Sequence, residues 1–468
     1  MRRFGIPVLC LLLPGCGIIA SAHGADVLRT LDGIDRNAAC SPIDLGHPLT
    51  LSMVVDAIVC RDPQGRVAWA DIKSEAAATG IARAAYLPRL SASVDSSTGR
   101  SRIDRQLPYM SGEGTRKRQN AGLTLTWLLV DFGRREAALR NADQLLVAAQ
   151  ASRDSVVQAR SVEAAQLYFQ AQAAQHSAEA SQRVVEAASR NLEAADAKYR
   201  GGAAALADRL QAETALTQAR LQSTQDAGSL SSLLGTLALR MGYGPQARLQ
   251  LASLDPVRMS LEARFADRID ELLQIAQRDH PQVIAAQARL QAARAGLAQS
   301  KADGRPSLSL TAGLNRSHTR QAAAYNGNTA ERDNSIGLQL EIPIFDGFDR
   351  TYRIRSAQSR VEAANAQLAD TQQQVTLDAW EQYQALSVQT RSTVLTRQLL
   401  EQSRQTLDVV QGRYQAGVGS MVEVLNALSA YASAQTQYNQ SWSGWQIARI
   451  RLAAALGRLQ HVPEAEEP

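Results

Sequence analysis

"GLTLTWLLVDFGRREAAL", residues Gly122 to Leu139, changes period partway through. Leu123, Leu125 and Trp127 are apolar at alternate positions, the pattern of a strand with one apolar face. From Arg134 onward the chain is rich in Ala, Gln, Arg, Leu and Glu, with no Gly before Gly201. Those residues are strong helix formers. Asp131-Phe132-Gly133 lies where the two patterns meet. The same triplet occurs in protein kinases, whose chemistry also needs a Gly-rich loop, a strand lysine and an HRD-type loop. None of these accompanies it here. The triplet therefore reads as an elbow from strand to helix, with an acid placed to cap free N–H groups at the helix start.

The elbow occurs twice. A shift of 215 residues carries Asp131 onto Asp346, Arg135 onto Arg350, Tyr168 onto Tyr383, Tyr199 onto Tyr414, Gly202 onto Gly417 and Gly242 onto Gly457. Upstream the shift is 218, carrying Pro63 onto Pro281 and Pro88 onto Pro306. One register held this long marks a tandem duplication of a structural unit. The expected organisation is a leader (1–22), an N-terminal arm (23–48), a first repeat (49–242), a linker (243–266), a second repeat (267–457) and a tail (458–468).

Each repeat reads alike. A helix from Leu49 to about Ala85, and from Asp267 to about Ala302, is ended by Pro88 or Pro306. A strand alternates at Leu90, Ala92 and Val94, and at Leu308, Leu310, Ala312 and Leu314. A polar loop follows, 99–120 and 317–334, then a second strand, at Ile336, Leu338, Leu340 and Ile342 in the second copy. The elbows Asp131/Gly133 and Asp346/Gly347 open helices of about 65 residues, rods on the order of 100 Å long. Glycine turns after Tyr199 and Tyr414 return a second helix of about 38 residues.

Arg2 and Arg3, the apolar run from Ile6 to Ala20 and the small residues at 20–22 form a secretory leader. Leu13-Pro14-Gly15-Cys16 leaves lipidation at Cys16 open. Beyond Cys10 and Cys16 the chain has Cys40 and Cys60, an even pair suited to one disulfide in an oxidising compartment, or to two buried thiols. The net charge of +5 is too small to argue for nucleic acid. No apolar run after the leader could span a membrane as a helix. A β-barrel gives a weaker signal and stays open. No nucleophile elbow, P-loop or metal motif is present, so neither an enzyme nor a cofactor is expected.

Four strands with an apolar face cannot close a barrel in oil, where each bare N–H or C=O costs several kcal/mol. About eight strands is the smallest membrane barrel, so at least two chains are needed.

The turns in "YRGGAAALADRLQAE" and "YQAGVGSMVEVLNAL", the "LEIPIFDG" elbow, the His280-Pro281 helix start and the 215-residue duplication together resemble the TolC family of outer-membrane exit ducts. The segment from Cys60 to Leu90, with Cys40 before it, is similar to the branch that serves type I toxin secretion. The resemblance implies a mainly α fold with a membrane β-barrel: a homotrimer with twelve strands and a twelve-helix tunnel extending into the periplasm. It implies a periplasmic adaptor and an inner-membrane ABC transporter as partners, with outer-membrane lipid around the barrel. A drug-efflux duct, served by an RND-type pump, is the alternative, and an envelope coiled-coil protein is a more distant one. At the tunnel tip the resemblance places Glu423 on an acidic ring and the uncharged Asn426 on a second. It pairs Asp208 with Tyr414 in a closing link and leaves Gly419 where a relative has an arginine. Tyr199, Gly202, Tyr414 and Gly417 form the hairpin turns, with gating and plain packing as rival roles. Glu423 could equally be a solvated helix-face acid. Arg100, Arg102, Arg105, Arg116, Lys117 and Arg118 read as a solvated charged loop or as contacts to anionic lipopolysaccharide.

Overall fold

The computed structural model describes residues 40, 43–103, 112–252, 269–322, 327–457 and 459. The leader, most of the arm, Arg105, much of the linker and the acidic tail lie outside the described residues. The elements in chain order are α1 (Leu51–Arg61), α2 (Pro63–Ala84), β1 (Arg89–Ile103), β2 (Gly112–Val130), α3 (Arg134–Arg200) and α4 (Leu206–Arg240). The second series is α5 (Ile269–Asp279), α6 (Pro281–Ala302), β3 (Ser307–Ala322), β4 (Gly327–Glu341), α7 (Asp349–Gln415) and α8 (Met421–Ala455). Helices α3 and α7 each have 67 residues, and α4 and α8 each have 35. Their bounds repeat at the interval that separates Asp131 from Asp346.

The first helix of each repeat is two helices, not the single one expected. Asp62 leaves the helical region (φ −63°, ψ 126°) because a residue before proline is pushed out of it. Pro63 then opens α2, where its missing N–H costs nothing. Asp62 Oδ2 caps the new helix by accepting from Gly65 N at 2.8 Å. In the second copy His280 precedes Pro281, and its Nδ1 accepts from Gln282 N at 3.2 Å. The start also differs. Leu49 is drawn into a parallel bridge with Leu251, and Thr50 caps α1.

The chain divides into two compact units. One, drawn from Ile72–Ala149 and Ala286–Gln367, holds a four-stranded antiparallel sheet in the order β1-β2-β3-β4. Its strands run well into the stretches expected to be polar loops. Ladder bonds satisfy their backbone whatever the side chains, so the apolar alternation marks only part of each strand. The register puts like with like. Leu90 faces Leu125, Leu125 faces Ala312 and Ala312 faces Ile336; Trp127 faces Leu310, which faces Leu338. Directly opposed residues share a face, so one face is aliphatic. The other carries Ser91, Thr124, Gly313 and Ser335 in a single row. Among the described residues nothing covers the aliphatic face: Val94 is 85% exposed and Ile336 78%. Strands β1 and β4 each pair on one side only among the described residues.

The other unit, drawn from the described residues within 34–71, 150–285 and 368–468, holds the rest of the helices. One core gathers Leu49, Tyr168, Phe169, Leu237, Met241 and Trp442. Tyr168 Oη donates to Leu49 O (3.2 Å), and burial pushes its pKa up to about 12. A second core surrounds Val375, Ala379, Trp445 and Leu452. The small residues Ala164, Ala171, Ala188, Ala195 and Ala212 are almost wholly buried, which lets helix backbones approach closely. Cys40 and Cys60 form a disulfide, tying the arm to α1.

Candidate functional site

Two constellations carry the residues singled out in the sequence. At the elbows, consecutive residues have positive φ: Phe132 (51°) and Gly133 (98°), then Gly347 (66°) and Phe348 (68°). The order of Phe and Gly is reversed between copies while the backbone path is kept. Left-handed backbone suits glycine and strains phenylalanine. Asp131 Oδ2 accepts from Arg135 N at 3.0 Å and Arg135 Nε at 2.9 Å. The Arg135 guanidinium also donates to Leu128 O (2.7 Å) and Leu129 O (3.0 Å) and lies over the Tyr86 ring. Those carbonyls flank a register shift between Leu128 and Val130, where a bulge disrupts the ladder. Arg135 thus supplies donors where the sheet cannot. Its copy, Arg350, keeps the cap, its backbone N–H donating to Asp346 Oδ2 at 3.2 Å, but its guanidinium donates to Gly304 O (3.0 Å) and its Nε stands 4.0 Å from Asp346 Oδ2. The first pair is 10% and 9% exposed, the second 38% and 35%.

At the hairpin tips, Gly202 (φ 71°) and Gly417 (φ 82°) end α3 and α7. Ala203 N donates to Lys198 O and Val418 N to Arg413 O, closing each helix with a Schellman turn. Tyr199 is 37% exposed, but Tyr414 is buried with Met421, Val424, Ala195 and Ala212. Burial, and then the negative charge of Asp208, raise the Tyr414 pKa above its ordinary value. Its Oη is buried without a hydrogen-bond partner.

Gly419 packs against backbone. A Cβ there would lie 3.0 Å from Tyr414 N and 3.2 Å from the Arg413 carbonyl carbon. Glu423 sits in the first turn of α8, which Ser420 caps, and its carboxylate is 3.9 Å from Arg413 Nη1. Asn426 is exposed and Asp208 half-buried.

Sequence reasoning missed Lys198. Its Nζ donates to Tyr414 O at 2.5 Å and stands 3.9 Å from the Tyr414 ring centroid. The repeat aligns Lys198 with Arg413, so a basic residue before each tip tyrosine was available as a signal. Which neighbour each would reach was not.

Among the described residues no group of three or more His, Cys, Asp or Glu is placed to hold a metal ion. No described helix is long and apolar enough to cross a membrane.

A family model described as outer membrane efflux protein matches residues 54–242 and 272–458. Protein CyaE of Bordetella pertussis is 31% identical over 418 residues, covering 89% of this chain and 86% of that one. The pyoverdine export outer membrane protein OpmQ of Pseudomonas aeruginosa is 25% identical over 474 residues, covering 98% and 95%. Among solved structures, CusC superposes with a TM-score of 0.73 at 18% identity, over 90% of this chain and 96% of that one. The outer membrane protein VceC from Vibrio cholerae gives 0.70 at 20% identity, over 87% and 96%. A match spanning both repeats, a relative this similar across most of both chains and a shared fold lead to one conclusion: the chain belongs to the outer membrane efflux protein family, the TolC-type export channels that sit in the outer membrane and extend into the periplasm.

Proposed function

We propose that this chain is the exit duct of a type I secretion system. In this reading it exports a protein toxin of the adenylate cyclase-haemolysin kind, working with a periplasmic adaptor and an inner-membrane ABC transporter. The observation that carries the reading is the 31% identity to CyaE, against 25% to the pyoverdine export protein OpmQ and 24% to OprJ. The disulfide from Cys40 to Cys60 lies in the N-terminal segment on which the resemblance to the toxin-secreting branch rests.

Three copies would supply twelve strands, joining each free β4 edge to the β1 edge of the next. Oil tolerates no bare edge, so closure and membrane insertion are coupled. Glu423 from three copies would gather carboxylates around one axis, repelling one another and attracting cations. The Lys198–Tyr414 contact and the Gly419 turn would hold the tip, since no arginine occupies position 419.

Complementation tests the assignment. A strain lacking its own duct but holding a toxin transporter and adaptor should regain toxin secretion when given this chain. Restored drug resistance without secretion would favour the efflux reading, in which an RND-type pump is the partner. That reading draws on the efflux description of the family model.

A further inference from the structure

The sheet register sorts charge by face. Beyond the aliphatic rows, on the strand ends away from the helices, the same face continues. Val94 faces Ala121, Ala121 faces Arg316 and Arg316 faces Arg332. Two residues further, Ser96, Gln119, His318 and Ala330 form a row; then come Thr98, Lys117, Arg320 and Asn328. Arg100, two residues past Thr98 on β1, keeps the same parity.

Five cations, Arg100, Lys117, Arg316, Arg320 and Arg332, therefore share the aliphatic face, and all are exposed. The acids Asp95, Glu331 and Asp333 alternate onto the opposite face, together with Arg116 and Arg118. Arg102 and Glu113, opposed in the register at the far end of β1 and β2, have the parity of the aliphatic face as well, one cation and one acid beyond the five.

This division is not what a solvated loop produces. Arg316 and Arg332 are directly opposed across β3 and β4, an arrangement that repels in the absence of an anion. Their depth is also defined. The aliphatic run from Leu308 to Leu314 spans about 20 Å of strand, close to the apolar band of roughly 25 Å on membrane barrels. Arg316 follows about 7 Å later. With the helices in the periplasm, that is headgroup depth in the outer leaflet.

We infer that Arg316, Arg332, Lys117, Arg320 and Arg100 form a lipid-facing collar that binds the phosphate groups of a phosphorylated glycolipid of the outer leaflet. Guanidinium forks match phosphate oxygens two at a time, and a phosphate between Arg316 and Arg332 would turn their repulsion into a bridge. The aliphatic rows below would receive the acyl chains. The inference rests on the outer-membrane location and not on the proposed cargo.

The test uses the full-length protein in detergent, with diphosphoryl lipid A and its phosphate-free counterpart as probes and bound lipid counted by native mass spectrometry. The phosphorylated lipid should bind about tenfold more tightly. Arg316→Gln/Arg332→Gln should remove most of that preference. Arg116→Gln/Arg118→Gln, the same charge change on the opposite face, should retain it. Equal binding of the two lipids, equal loss in both double variants, or full displacement by millimolar inorganic phosphate would overturn the inference. Should the Arg316/Arg332 variant not fold, the two-lipid comparison and the phosphate competition on the unaltered protein still decide.

Discussion

The Lys198 ammonium donates to the Tyr414 carbonyl at 2.5 Å and lies 3.9 Å from the centre of the same tyrosine ring. One side chain from the end of α3 therefore satisfies the last turn of α7 and shields its aromatic ring. The contact joins the two hairpins of a repeat pair at their tips.

Lys198→Met should loosen that junction by about 1–2 kcal/mol, the combined scale of a charged hydrogen bond and a partly desolvated cation–π contact. In planar bilayers the variant should open more often than the unaltered channel, with Lys198→Arg intermediate. Unchanged gating in Lys198→Met would assign the contact to packing alone.

Glu423 is half-exposed, and Arg413 is its neighbour at 3.9 Å. If three copies ring the tip, Glu423→Ala should lower the cation-over-anion preference and weaken block by divalent ions. Reversal potentials in asymmetric salt measure the first and current–voltage curves the second. A solvated acid on a helix face would leave both unaltered.

The two elbows share a sequence pattern and differ in burial, so the same substitution should have unequal cost. Arg135→Met strands a buried Asp131 and two carbonyls at a bulge, a loss of about 3 kcal/mol. Arg350→Met removes a partly exposed pair and should cost about 1 kcal/mol or less. Urea midpoints of the two variants, compared side by side, report the difference. Equal losses would refute the hub role of Arg135.

Gly419→Ala should destabilise the tip by about 1–3 kcal/mol, because the new methyl group meets backbone that cannot rotate away. Gly419→Arg should do the same or worse and should not create a latch. Protease cutting near residues 413–420 gives a local readout, and enhanced resistance in the arginine variant would contradict this account.

Burial lowers the His280 pKa, and the nearby Asp378 charge opposes the shift without reversing it. The folded protein thus prefers the neutral ring, whose Nδ1 must be bare to accept from Gln282 N. The stability it contributes is present above the ordinary histidine value and is lost as pH falls through the lowered one. Melting temperature should drop between neutral and mildly acidic pH, and His280→Asn, which can still cap, should flatten that drop.

Much of this architecture is legible in the amino-acid order. The duplication, the elbows, the long helices and the glycine turns all depend on local rules of period, propensity and backbone freedom. Each repeat therefore reads the same wherever it folds. The breaks at Asp62 and His280 were legible too, since proline displaces the residue before it, but helix-forming neighbours on both sides masked them. Strand length was less visible. Ladder bonds hold polar residues as well as apolar ones, so alternation marks only the aliphatic rows.

What the order alone left open is pairing between distant segments. Lys198 could have met its own hairpin, as Arg413 does, and the two elbow arginines looked interchangeable. The packed chain decided that one reaches Tyr414 and that one is buried. The sheet register likewise decided which arginines share the aliphatic face. A one-residue slip would exchange every side chain between the two faces of the sheet, and gathering the aliphatic rows on a single face selects the observed pairing.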